Sequence, residues 1–219
     1  MAIGWLDTML YGTSRALERL TGGRVRLVKY RFVAQPVAAS SVENRARAGR
    51  FDIDWATPGC PLLAQFERPA QVLAARFAQG ARCLIATAGP GRAAGFLWFV
   101  EGAYDEDEVR AKFVPVPAGA ACWDFDVSIL PDFRMGRLFG LLWARACTEL
   151  SSTGIRWTVS RISAFNGASL ASHRRLGART VGSALFLCAG RFQLMGSTLR
   201  PKVHLSWRDE QRPVLEVGT

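Results

Sequence analysis

The chain has 219 residues, 49% of them hydrophobic and 21% charged, a balance that allows a buried core and excludes disorder as its main state. Its five cysteines (Cys60, Cys83, Cys122, Cys147, Cys188) are scattered without C-x-x-C spacing and only two histidines are present, so neither a disulfide framework nor a metal centre is expected. The net charge of +10 is regional: from residue 133 to 202 eleven bases accompany a single acid, Glu149, which points to a polyanion such as nucleic acid, an anionic membrane or a phosphorylated cofactor.

The first twenty residues place Leu6, Met9, Leu10, Leu17 and Leu20 at helical spacing, with Asp7, Arg15, Glu18 and Arg19 on the other side and Thr21-Gly22-Gly23 as a stop. This predicts an N-terminal amphipathic helix within 1–23. Its nearly neutral polar face favours packing on the domain or on a second copy over membrane attachment. No run reaches the roughly 18 apolar residues of a membrane span, and Asp7 stands where a secretory leader would be basic, so the expected compartment is the cytoplasm.

Residues 24–37 read as a strand, and 40–50 as a loop or exposed helix. Residues 69–79 predict a helix opened by Pro69 and closed by Gly80. The apolar runs 81–88 and 93–100, parted by Gly89-Pro90-Gly91, predict a hairpin. The acidic run Asp105 to Glu108 reads as a solvated loop rather than a site for a substrate amine. Further on come a strand at 122–130 ended by Pro131, a helix at 134–150, a strand at 155–162, a short helix at 167–176, a strand at 179–188 and a last strand within 192–207. The pattern is α/β, with residues 24–219 forming one domain around a mixed, mostly antiparallel sheet flanked by helices.

Two segments carry candidate chemistry. At the first, VSILPDFRMGRLFGLLW, a strand stops at Pro131 and a helix opens with Arg134, Met135, Gly136, Arg137, Leu138 and Phe139. Free amides, the positive end of the helix dipole and two arginines make a cradle suited to pyrophosphate. The pattern is neither G-x-G-x-x-G nor G-x-x-x-x-G-K-[ST]. At the second, SRISAFNGASLASHRRLGA, a strand runs into Asn166, Ser169 and His173, followed by Leu-Gly-Ala. Ahead of both, Asp124 and Asp126 alternate along CWDFDVSIL, and period two puts them on one face with Ser128.

Together the two segments resemble the GCN5-related N-acetyltransferases (GNAT), in which a strand ending V-x-P precedes an Arg/Gln-x-x-Gly-x-Gly/Ala helix start and a later strand leads to Asn-x-x-Ser/Ala, an aromatic residue and Leu-Gly-Phe. Ile129 and Pro131 match the strand end, Arg134 the first basic position, Asn166 and Ser169 the turn, and Leu176-Gly177-Ala178 the closing motif. The likeness covers about residues 81–188. Two positions depart from it: the glycine falls at Gly136, where the family's glycines would be Arg137 and Phe139, and His173 stands at the tyrosine.

The resemblance implies an acyltransferase that uses acetyl-CoA or another acyl-CoA as co-substrate, with no metal, and transfers the acyl group to the primary amine of a small molecule or protein. It implies a sheet splayed near 126–130, pantetheine along Ile129 and Leu130, and pyrophosphate at 134–139. It further implies Asp124 or Asp126 as proton acceptor and His173 as the acid that protonates the departing thiolate. A helix-borne histidine beside Arg174 and Arg175, solvated and without a catalytic part, is the other reading of His173. The competing class is a protein of the same fold that binds acyl-CoA or a polyanion without turnover. Nucleic acid is disfavoured within that class, since Arg156-Trp157 and Arg191-Phe192 motivate it only weakly.

Overall fold

Apolar runs too long for one strand, broken by glycines at positive φ, set the framework of the computed structural model, which describes residues 5–37, 50–134 and 137–219. In chain order it contains helix α1 (Trp5–Leu20), strands β1 (Val25–Pro36) and β2 (Asp52–Ala56), a 3-10 turn (Pro61–Phe66), helix α2 (Ala70–Ala78), and strands β3 (Arg82–Thr87), β4 (Ala93–Val100), β5 (Tyr104–Asp105), β6 (Lys112–Val116) and β7 (Ala121–Ile129). A second 3-10 turn (Pro131–Phe133) leads to helix α3 (Leu138–Ser152), strand β8 (Trp157–Ser163), helix α4 (Gly167–Arg175), and strands β9 (Arg179–Ala189), β10 (Phe192–Ser197), β11 (Val203–Ser206) and β12 (Val214–Gly218).

Nine strands form one sheet in the order β11-β10-β9-β1-β8-β7-β4-β3-β2, and β12-β6-β5 form a second. Within the large sheet every neighbouring pair is antiparallel except β7 and β8. The predicted mixed, mostly antiparallel sheet flanked by helices is therefore the observed one. One core, with Tyr30, Phe32, Phe96, Trp98, Phe113 and Phe186, fills the space beneath the small sheet, α2 and the first 3-10 turn. The other, with Leu97, Phe99, Leu138, Leu142 and Trp143, lies under α3. Strand β4 is buried on both faces because it separates them, which accounts for its unbroken apolar sequence.

The predicted hairpin is β3–β4, turning through Gly89 (φ 102°) and Gly91 (φ 69°), conformations open to glycine at little cost. The last strand resolves into two, β10 and β11. Strands β5, β6 and β12 escape the sequence reading because Pro115 and Pro117 break the run around β6 and because β12 pairs with it in parallel from a hundred residues away. The expected loop or helix at 40–50 lies, apart from Arg50, outside the described residues. Helix α3 starts at Leu138, four residues later than predicted, because Pro131–Phe133 closes a 3-10 turn first.

Helix α1 is present, but its faces differ from the expectation. Asp7 and Ser14 point inward: Asp7 takes Lys29 Nζ at 2.6 Å and Arg31 Nη2 at 2.9 Å, and Ser14 donates to the Leu27 carbonyl. Met9 and Leu20 are left exposed. Pairing of buried Asp7 with two half-buried bases of β1 outweighs the apolar stripe, since a buried carboxylate without a counter-charge would cost more than exposed leucine. None of the described helices is long and apolar enough to cross a membrane.

Candidate functional site

Strands β7 and β8 run parallel from Ala121/Trp157 to Asp124/Ser160 and then part. At the same level β7 carries a bulge against β4: Trp98 faces Asp126 and Phe99 faces Asp124, leaving Phe125 without a partner. A bulge bends its strand and re-aims the side chains after it. Because Trp98 and Phe99 belong to opposite cores, Asp124 and Asp126 project from opposite faces of the sheet. The expected single face, inferred from period two, is thereby corrected.

The parting strands enclose a cleft of about 170 Å³ lined by Asp124, Asp126, Ser160, Asn166, Ser169 and His173 among others. On the other face a second cleft of about 300 Å³ is lined by Arg68, Arg76, Asp107 and Glu108. Both include Phe125, Asp126 and Arg161, so they meet at the opening between the strands.

Asp124 is buried at the apex of the opening. Burial raises its carboxyl to about 7, against the pull of the neighbouring Ser160 and Thr158 hydroxyls. Its Oδ2, Thr158 Oγ1 and Ser160 Oγ close no hydrogen bond of good geometry within the protein. Three orphaned polar atoms at the head of a cleft are a standing cost unless something polar enters.

Asp126 is committed differently. Arg68 Nε donates to Oδ2 at 3.0 Å and Nη2 to Oδ1 at 3.2 Å, while Arg76 Nη1 donates to Oδ2 at 2.8 Å. Arg76, itself buried, reaches on to Asp107 Oδ2 at 3.0 Å. Asp126 is thus gripped by two guanidiniums through three charge-assisted hydrogen bonds.

The acidic run is solvated at Asp107 and Glu108 but not at Glu106. The Glu106 side chain is completely buried, its two oxygens accepting from Arg161 Nε at 3.0 Å and Nη2 at 2.6 Å. Burial raises the Glu106 carboxyl even against the charge of Arg161. Burial also acts to raise Asp107, but Glu106, Arg76 and Arg161 outweigh it and hold this carboxyl low. Glu108 accepts from the Tyr30 hydroxyl at 2.5 Å. Sequence reasoning missed Arg68, Arg76, Arg161 and these acids, for their pairings span 31 to 78 residues. The one legible signal was a dense acidic run in a basic chain.

His173 is buried on α4, edge-on to Phe139 and Trp143, with Nδ1 3.2 Å from Gln35 Oε1. Burial lowers its pKa to about 4, which replaces the reading of a solvated histidine beside two arginines. Which of the two residues donates in this contact depends on the histidine tautomer. Asn166 caps α4, its Oδ1 accepting from the Ser169 amide at 3.0 Å.

At the start of α3, Arg134 and Arg137 are exposed. Arg134 Nε donates to the Ile129 carbonyl at 2.9 Å, tying the turn to the end of β7. Leu130 donates its amide to Ala94 O at 2.9 Å and packs against both cores. The Leu138 side chain is fully buried and the Phe139 ring lies edge-on to His173 and tilted against Trp143. Of these last two, only the backbone amides remain for a ligand. Met135 and Gly136 lie outside the described residues. Among the described residues no group of three or more His, Cys, Asp or Glu is placed to hold a metal ion.

No protein-family profile and no curated protein matches the sequence. Among solved structures, a GCN5-related glucosamine N-acetyltransferase region of a fungal multi-domain GH3 β-N-acetylglucosaminidase is similar over 77% of this chain and 22% of that one, with a TM-score of 0.51 and 13% identity. A Drosophila protein gives a TM-score of 0.51 at 14% identity over 81% and 57%. The tandem GNAT protein of the clavulanic acid biosynthesis pathway gives 0.49 at 13% over 84% and 57%. This chain spans less than two thirds of the length of each of the three. At such identities the likeness is one of architecture, and the chain has the mixed α/β fold found in GCN5-related acetyltransferases.

Proposed function

We propose that the protein is an acyl-CoA-dependent N-acyltransferase that moves an acetyl group from acetyl-CoA to the primary amine of a small molecule or protein. The observation that carries this reading is the opening between β7 and β8 with Asp124 orphaned at its apex. The residues fit the co-substrate: Arg134, Arg137 and the first amides of α3 would hold its pyrophosphate, the edge of β7 that parts from β8 beyond Asp124 its pantetheine amides, and Asn166 and Ser169 flank the same cleft. Bound acyl-CoA supplies an acyl thioester open to attack by an amine.

Asp124 is the proton acceptor in this account. A carboxyl that titrates near 7 and has a free Oδ2 takes a proton from an amine at neutral pH far better than an ordinary carboxylate. Asp126 holds Arg68 and Arg76 in place at the second cleft, from which the amine would approach. There Asp107 and Glu108, partly exposed at its mouth, favour a cationic acceptor. His173 enters uncharged and walls the cleft beside Gln35, which weighs against its serving as the acid. The thiolate would then take its proton from solvent. Binding without turnover shares the same cleft, and the uncharged His173 favours that second reading.

The test is acetyl-CoA-dependent acylation of a panel of primary amines by wild type and Asp124→Asn. Turnover that rises through about pH 7 and falls at least ~100-fold in the variant, with acetyl-CoA still bound, supports the mechanism. Binding with no turnover on any amine assigns the protein to the non-catalytic class.

A further inference from the structure

On β9, β10 and β11 the face turned away from the core is apolar as well as the face turned toward it, where Phe186 and Met195 are buried. Residues of β10 and β11 that face the core include Gln193 and Ser206, both buried, whereas the opposite face carries Leu194, paired with Leu205, flanked by Val203 and Trp207. Those four are exposed, Val203 at 67% and Trp207 at 56%. Sheet faces in water normally run polar outward, and a contiguous apolar face of this kind marks an interaction surface.

Helix α1 lies on the same side of the sheet. Leu187 pairs with both Leu27 and Leu194, and Lys29 pairs with Leu185, so the face reached by α1 through Leu27, Lys29 and Arg31 continues onto the bare strands. The helix is also apolar outward, with Trp5, Met9 and Leu20 exposed, Leu20 at 85%. Each chain thus offers a ridge beside an uncovered strip. The strip from β9 to β11 is about 10 Å wide between strand axes, and a helix with its side chains is about 10–12 Å across.

We infer that this face pairs with a second copy of the chain, α1 of each protomer lying across β9–β11 of its partner about a twofold axis. A ridge and its matching strip on one surface are self-complementary, as an isologous contact requires. The apolar area left exposed by Met9, Leu20 and the four strand residues is on the order of 700 Å², close to the ~800 Å² that each partner contributes to a standard interface. None of these residues is charged, which suits a protein surface better than a polyanion.

Sedimentation equilibrium of the full chain tests this. A dimer is expected whose dissociation constant falls as NaCl is raised from about 0.1 to 1 M, because salt screens the repulsion between two chains of +10 while leaving apolar contact intact. Leu20→Glu and Leu205→Glu, both at exposed positions and checked by circular dichroism, should each weaken it at least ~30-fold. Mixing Leu20→Glu with Leu205→Lys should restore a mixed dimer, since one contact then joins opposite charges and the other is native. A monomer at every salt concentration, a dimer indifferent to both glutamates, or no rescue on mixing would each overturn the proposal. So would a monomer that binds phosphatidylserine vesicles and loses them on Leu205→Glu, which would give the face to a lipid surface.

Discussion

Asp124 lowers stability in order to be usable. Its carboxyl titrates at about 7 in the fold against an ordinary 3.8, so the native state holds its proton more tightly than the unfolded state and stability falls as pH rises from 3.8 to 7. The full loss is on the order of 4 kcal/mol. His173, lowered from 6.5 to about 4, works in reverse: the unfolded chain binds its proton first, and stability rises with pH between 4 and 6.5. In wild type the two slopes oppose each other over that window. Asp124→Asn removes one of them, so the variant should gain stability steadily from pH 4 to 6.5 and exceed wild type at pH 8 by a few kcal/mol. Thermal melts across pH check this, and equal melting temperatures at pH 8 would place an ionised, well-solvated carboxylate at this position.

The pair of Glu106 and Arg161 is the complementary case, a buried charge that must keep its partner. Glu106→Gln leaves Arg161 with a neutral neighbour on its inner side and should cost about 3–5 kcal/mol by chemical denaturation. Exposed pairs such as Arg92–Asp132 should be worth under ~1 kcal/mol. This contrast is hidden in the sequence, where Glu106 is one of four consecutive acids. Only its return to Arg161, 55 residues on, separates it from a surface charge.

At the scale of the elements, the sequence showed where strands and helices lie more surely than which way they face. The β3–β4 hairpin, α2, β8 and α4 stand where glycines, prolines and apolar runs predict them, since turn chemistry is local. The orientation of Asp124 and Asp126 turns on the bulge at Phe125, which depends on β4 and leaves no mark in β7 itself. Helix α1 misled for a related reason, its inward face being decided by Lys29 and Arg31. Gly95 shows the same dependence. A Cβ there would lie 3.0 Å from the Ser128 carbonyl oxygen and 3.2 Å from Leu138 Cδ2, at the corner where β4, β7 and the start of α3 meet. Gly95→Ala should cost about 1–3 kcal/mol and loosen any ligand held by that helix start. An unchanged melting temperature would show that the corner yields freely.

For the whole molecule, the regional basicity visible in the sequence is partly cancelled by folding. Arg161 meets Glu106, and Arg145 meets Glu149. Arg134 and Arg137 stay exposed at the start of α3, and Arg156, Arg174, Arg175, Arg179, Arg191, Arg200 and Lys202 stay exposed elsewhere. The motif resemblance at 127–139 and 160–178 led to the cleft because both segments lie on the two strands that part. The second cleft had no such signal, being assembled from α2, the acidic run and β8. The most direct test of the account is calorimetric titration of purified protein with acetyl-CoA, in wild type and in a variant with Arg134 and Arg137 both replaced by Ala. The account predicts one site per chain and binding at least ~10-fold weaker in the variant, two lost charge-assisted contacts being worth more than 1.4 kcal/mol. No heat of binding at millimolar acetyl-CoA, or equal affinity in both proteins, would contradict it.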